Sequence, residues 1–74
     1  MTAKEMFEEL GFNYFEYDNQ IAYEQEIRGY DDDTYYVGIT FDLKYKDIKD
    51  TYSEIDMKLL KAINKQVEEL GWNI

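Results

Sequence analysis

Cysteine, histidine and proline are all absent from this 74-residue chain. Without cysteine, neither a disulfide nor a thiolate zinc site can hold the fold together, and a reducing compartment fits the composition. No apolar run approaches the roughly 18 residues that a membrane span needs, and the N-terminal residues lack the basic-then-apolar pattern of a signal peptide. We therefore expect a single cytoplasmic domain, residues 1–74, with no membrane association.

The same absences disfavour an enzyme. Histidine, the most frequent general acid and base near neutral pH, is missing, and Ser53 has no nucleophile-elbow context. The consecutive carboxylates of Asp31, Asp32 and Asp33 do not alternate as the ligands of a calcium loop do. The glycines stand too far apart to form a phosphate-binding loop. The sequence thus predicts no catalytic residue, no metal and no cofactor.

Negative charge is concentrated in one part of the chain. Residues 1–42 hold eleven carboxylates against Lys4 and Arg28, whereas residues 43–74 hold six acidic and six basic side chains, and the net charge is −9. A concentrated acidic surface repels nucleic acid and attracts proteins that bind nucleic acid. Direct nucleic-acid binding is therefore not expected, although Lys44, Lys46 and Lys49 form a small basic spot.

Helices are predicted at both ends of the sequence. Thr2 and Glu5 form a capping-box pattern, and Asp56 is the expected N-cap of the second helix. The phrase Glu-Glu-Leu-Gly occurs in both helices and is followed by Phe12-Asn13 or Trp72-Asn73. It is typical of a Schellman ending, in which the aromatic residue packs back on the last turn. In the second helix, the apolar residues at helical spacing predict the buried stripe Met57, Leu60, Ile63, Val67 and Leu70.

Between the helices, apolar residues recur at every second position and predict strands. The clearest strand runs from Tyr35 to Leu43, and an earlier one from Ile21 to Ile27 would join it through a turn at residues 29–33. Weaker strands are expected at residues 13–17 and 47–52. The predicted fold is α+β: an N-terminal helix, a three- to four-stranded antiparallel sheet, and a C-terminal helix packed on one sheet face.

If the helices cover the face bearing Val37, Ile39 and Phe41, the opposite face should meet solvent. We expect this open face and the 29–33 turn to form one acidic stripe interspersed with tyrosines, with Glu16 and Asp18 close to the turn. Large amphipathic tyrosines serve as interface anchors at little cost in rotamer entropy. Carboxylates on an open sheet face also have a structural explanation, since they discourage pairing between sheets. The sequence leaves both explanations open.

The segments Thr2–Phe12 and Leu60–Trp72, and more loosely residues 39–43, resemble small uncharacterised proteins encoded by phages and prophages of Firmicutes. The matching residues are capping and core positions, so the resemblance implies a genomic setting and no functional residue. It implies a phage protein acting in the cytoplasm of the bacterial host cell. Small acidic phage proteins include inhibitors of host defence that are similar in charge to a DNA backbone.

The leading hypothesis is therefore an anti-defence inhibitor, similar to anti-CRISPR proteins, that occupies a basic nucleic-acid-binding surface. Its partner would be a host or defence nucleic-acid-binding protein with a basic channel, and its contacts would weaken with salt. The expected contact residues are Glu16, Asp18, Glu24, Glu26, Tyr30, Asp31, Asp32, Asp33, Tyr36 and Asp42. The alternative is a phage structural or assembly accessory without inhibitory activity, which acts by homodimerisation or docking while its acidity aids solubility.

Overall fold

A computed structural model describes residues 1–51 and 54–72 as two helices around a four-stranded sheet. In chain order the elements are α1 (Ala3–Glu9), β1 (Asn13–Tyr17), β2 (Gln20–Arg28), β3 (Thr34–Asp42), β4 (Asp47–Asp50) and α2 (Met57–Glu69). The α+β prediction is confirmed, with four strands. Three sequence predictions concern residues outside the described part of the chain. They are the end of β4 at Tyr52, the absence of a nucleophilic role for Ser53, and the place of Asn73 at the end of the repeated phrase.

The strands follow one another in space as they do in sequence, in the order β1-β2-β3-β4, and every pair is antiparallel. The register places Tyr23 opposite Tyr14 on one side and opposite Ile39 on the other. Paired residues share a sheet face, and so does every second residue along a strand. The side chains of Tyr14, Tyr23 and Ile39, and of every second residue from them, therefore point toward the helices. The remaining set, which includes Ala22 and Glu24, forms the open face.

The predicted helix ends are confirmed. Thr2 Oγ1 accepts a hydrogen bond from the Glu5 backbone N–H at 3.2 Å, and Asp56 Oδ1 accepts one from the Leu59 N–H at 2.8 Å. The Thr2 backbone N–H in turn donates to the Glu5 carboxylate, which lowers the pKa of Glu5. Gly11 adopts φ +90°, and the Phe12 N–H bonds back to the Phe7 carbonyl at 3.0 Å, as a Schellman motif requires.

The core lies between the helices and one half of the sheet. The rings of Phe7 and Tyr23 stack in parallel with centroids 3.8 Å apart, and Phe41 meets both rings edge-on. The Tyr23 hydroxyl donates a hydrogen bond to Gln66 Oε1 of α2. Gln66 is buried, so this bond satisfies two polar groups that water does not reach. Tyr23 therefore connects α1, the sheet and α2.

The prediction of the α2 core stripe is partly wrong. Ile63 and Val67 are buried as expected, but Met57 and Leu60 are exposed, and Leu59 is buried in their place. The sequence Leu59-Leu60 fits two phases of the helical wheel equally well at this point. The position of Tyr23 decides between these two phases. Gln66 must face the Tyr23 ring to form their hydrogen bond, and Leu59 and Ala62 lie on the same side of α2 as Gln66.

The buried position of Tyr23 makes stability sensitive to alkaline pH. Burial, followed by the nearby groups Tyr14, Glu69 and Glu8, raises the pKa of Tyr23 well above its usual value of about 10. The unfolded chain releases this proton near pH 10 while the native chain keeps it. The free energy of unfolding should therefore fall as pH rises above about 10. Chemical denaturation across pH 8–11.5 measures this fall.

In the Tyr23→Phe variant, the alkaline fall should be much smaller. At neutral pH the variant should also lose about 1–3 kcal/mol, because Gln66 keeps its burial and loses its partner. Tyr45→Phe, at an exposed tyrosine, is the matched control and should behave as the parent protein does. An alkaline fall of equal size in Tyr23→Phe would show that Tyr23 is not the group responsible.

Gly38 of β3 lies opposite Glu24 of β2, with the β2 backbone close beside it. A Cβ at this position would overlap the carbonyl oxygen of Tyr23 and lie 3.0 Å from the Glu24 Cα, so the backbones would have to separate. We expect Gly38→Ala to lower the free energy of unfolding by about 3 kcal/mol or more. Gly29→Ala, whose Cβ would meet ordinary contact distances, should cost less than about 1 kcal/mol. Similar losses in urea denaturation of both variants would contradict this packing.

Candidate protein-binding site

Half of the β2–β3 hairpin projects beyond the rest of the sheet. β1 pairs with β2 no farther than Glu24, and β4 pairs with β3 no farther than Ile39, with one further backbone bond from Thr51 to Gly38. Residues 25–37 therefore form a two-stranded arm, flanked by no third strand of the described chain. The protein's dimensions of 42 × 25 × 18 Å reflect this projection.

The tip of the arm is a tight turn. The Gly29 N–H donates to the Asp33 carbonyl at 2.8 Å, and Asp32 adopts the left-handed conformation with φ +58°. A three-residue loop that ends in a left-handed residue is a common way to close a hairpin. This geometry presents the side chains of Tyr30, Asp31 and Asp32 to solvent, and Tyr30 is fully exposed.

The arm is both acidic and aromatic. It carries four carboxylates and one arginine, a net charge of −3, together with three exposed tyrosines. Tyr36 lies opposite Glu26 on the open face, whereas Tyr35 lies opposite Ile27 on the other face. Isolated two-stranded hairpins are marginally stable in water. Partial burial of Ile27 and Gln25, whose side-chain amide donates to the Leu10 carbonyl at 2.8 Å, holds the base of the arm to the core.

The expected single acidic stripe is wrong, because the register separates its members. Asp18 lies in the β1–β2 turn, at the opposite end of β2 from the Asp31–Asp33 tip. The eight residue steps of β2 correspond to about 26 Å. Glu16 pairs with Ile21 and so projects on the helix-covered side of the sheet, where it is exposed. Neither residue lies near the tip.

Asp42 also lies at the far end, and its carboxylate has a structural role. Its Oδ1 accepts hydrogen bonds from the backbone N–H groups of Lys44 and Tyr45, at 2.9 and 2.8 Å. These bonds shape the turn between β3 and β4, as aspartate commonly does in turns. Of the ten residues expected to contact a partner, the arm brings together Glu26, Tyr30, Asp31, Asp32, Asp33 and Tyr36.

Glu24 lies at the base of the arm. Its partner across the sheet is Gly38, whose missing side chain leaves a shallow groove of about 210 Å³ on the open face. Tyr36, Val37, Thr40 and Thr51 line the rest of this groove. Glu24 is half-buried there, so it can extend the acidic surface of the arm toward the sheet. The sequence indicated the exposed face of Glu24, but it carried no signal for the groove.

Within the described residues there is neither a cluster of metal ligands nor a membrane-spanning helix. Among them, no three carboxylates converge closely enough to hold a metal ion. No helix in residues 1–51 and 54–72 is long and apolar enough to cross a membrane. Comparison with known protein families, curated proteins and solved structures found no match to this chain. The site is therefore interpreted from its own geometry.

The left-handed conformation of Asp32 provides a test of the turn. Glycine adopts this conformation without steric cost, so Asp32→Gly should raise the free energy of unfolding by about 1 kcal/mol. Asp31→Gly is the matched control, because it removes the same charge at a residue without positive φ and should lower stability. Thermal or urea denaturation of both variants measures the difference. Equal effects would mean that charge repulsion, and not backbone conformation, governs the turn.

Proposed function

We propose that this chain is an acidic binding protein whose arm occupies a basic, nucleic-acid-binding surface of its target. The observation that carries the proposal is the projection of an arm with net charge −3 and three exposed tyrosines away from the packed core. A narrow ribbon can enter a channel that would exclude the whole domain. Lysine and arginine groups that normally contact phosphates would then contact the carboxylates of Glu26 and Asp31–Asp33.

The tyrosines supply what carboxylates alone lack. Exposed ion pairs contribute little affinity, whereas a tyrosine that is desolvated against a partner commonly contributes much more. Tyr30 at the tip and Tyr36 on the open face are free to act as such anchors. The charges would then govern the rate of association and its salt dependence, and the tyrosines the lifetime of the complex.

In this proposal the protein is a phage-encoded, anti-CRISPR-like inhibitor of host defence, and it competes with nucleic acid for its target in the cytoplasm. Support comes from the net charge of −9 and from the position of the arm. The second candidate, an assembly accessory that acts through association with a second protein chain, is favoured by a different observation. That observation is the outer edge of β1, with which no strand of the described part of the chain pairs and which lies apart from the arm.

Replacing Asp31, Asp32 and Asp33 by Asn should weaken binding while the fold is kept, since asparagine also tolerates the turn conformation. The test is a tagged pull-down from lysate of a host that expresses its defence systems, washed across a salt series and read by mass spectrometry. The parent protein should recover a nucleic-acid-binding enzyme that elutes at moderate salt and is displaced by DNA or guide RNA. The triple variant should recover at least about tenfold less, because three charge contacts are lost.

The matched control is the triple variant Glu8→Gln, Glu9→Gln and Glu68→Gln. It changes the net charge equally, from −9 to −6, at exposed helical positions away from the arm. This control should bind as the parent protein does. Equal losses in both variants would mean that overall charge, and not the arm, attracts the target. Recovery of phage proteins alone would favour the assembly accessory.

A further inference from the structure

The two edges of the sheet differ in how well they are protected against pairing with another strand. β4 has four residues, of which three are charged, as is usual for an edge strand that stays unpaired. β1 has the sequence Asn-Tyr-Phe-Glu-Tyr, with three aromatic residues, one carboxylate and no lysine. An edge strand of this composition is suited to pairing, because no strand within residues 1–51 and 54–72 pairs with its outward N–H and C=O groups.

We propose that β1 pairs antiparallel with β1 of a second copy of this chain, about a two-fold axis at Phe15. The two sheets then continue as one sheet of eight strands. In this register Phe15 lies opposite the partner's Phe15, and Tyr14 lies opposite the partner's Glu16. The same contact occurs twice, as in most homodimers.

Charge complementarity supports this register. The Lys4 Nζ lies 5.1 Å from the centroid of the Tyr14 ring, on the helix-covered side of the sheet. Glu16 projects on that same side, so the partner's Glu16 would come close to Lys4. Within residues 1–51 and 54–72, Lys4 forms no ion pair in the isolated chain. The two-fold pairing would give it one, and the symmetry would repeat that pair.

The shape of the edge also accommodates a second copy. An open cavity of about 630 Å³ lies between α1 and β1, lined by Lys4, Glu8, Phe12, Tyr14 and Phe15 among others. On the open face, Phe15 is 40% exposed and would form a cross-strand aromatic pair with its counterpart. The partner would thus cover aromatic surface that the monomer leaves in water.

The pairing closes on itself, because each copy uses its single β1 edge and the charged β4 edges face outward. Since the two copies of β2 run in opposite directions, the two arms would point away from each other. This consequence rests on the proposed function: the dimer would present two acidic arms to two target surfaces. The dimer itself depends only on β1 and α1, so it can be tested without any target.

The test is the molar mass of the purified full chain by sedimentation equilibrium over a range of concentrations. We expect a dimer of the 9.0 kDa chain. Lys4→Glu alone and Glu16→Lys alone should each weaken the dimer at least about tenfold, because two ion pairs become two repulsions. An equimolar mixture of these two variants should regain the dimer as a heterodimer. In that heterodimer, both contacts between position 4 of one chain and position 16 of the other again join opposite charges.

Phe15→Lys tests the interface, and Ile48→Lys is its matched control. Both residues are 40% exposed, and they lie on opposite edges of the sheet. Phe15→Lys should give a monomer with an unchanged far-UV spectrum, and Ile48→Lys should remain a dimer. A monomeric parent protein at all concentrations would overturn the proposal. So would a dimer that tolerates Phe15→Lys, or a mixture that associates no better than its two components. None of these results would affect the proposed role of the arm.

Discussion

The stacking of Phe7 on Tyr23, together with the hydrogen bond from Tyr23 to Gln66, holds both helices against the sheet. It joins α1 to the centre of the sheet through ring contact and joins α2 to the same ring through a buried polar bond. A chain of 74 residues has little core to spare. Because one tyrosine organises both helices, they gather over one half of the sheet and leave the other half uncovered.

The uncovered half is the arm, and its chemistry follows from its position. Residues near Tyr23 are apolar because they are packed, whereas beyond Glu24 the hairpin can carry aspartates and exposed tyrosines without cost to the core. The arm is consequently the part of the molecule where acidic and aromatic side chains stand farthest from the packed core. Within the described residues the β1 edge is also left without a partner strand, while Lys4 of α1 lies over the Tyr14 ring on one face of β1.

The sequence predicted the element order, both N-caps and both Schellman endings, because these depend on neighbouring residues. It wrongly placed Leu60 in the core in place of Leu59, since that choice depends on the distant Tyr23. Nor could it place the acidic residues. Asp18 and Asp31 lie at opposite ends of β2, which becomes evident only when the hairpins are assembled in register. The groove above Gly38 likewise depends on how closely two strands approach.

Site-specific photocrosslinking tests whether the arm contacts a nucleic-acid-binding protein. A photoreactive phenylalanine would replace Tyr30 at the tip or, as a control, the exposed Tyr45 in the β3–β4 turn. Both variants would be irradiated in bacterial cells that carry defence systems. We expect a covalent adduct with a nucleic-acid-binding protein from position 30 and none from position 45. Adducts from position 45 alone, or equal adducts from both positions, would show that the arm is not the contact surface.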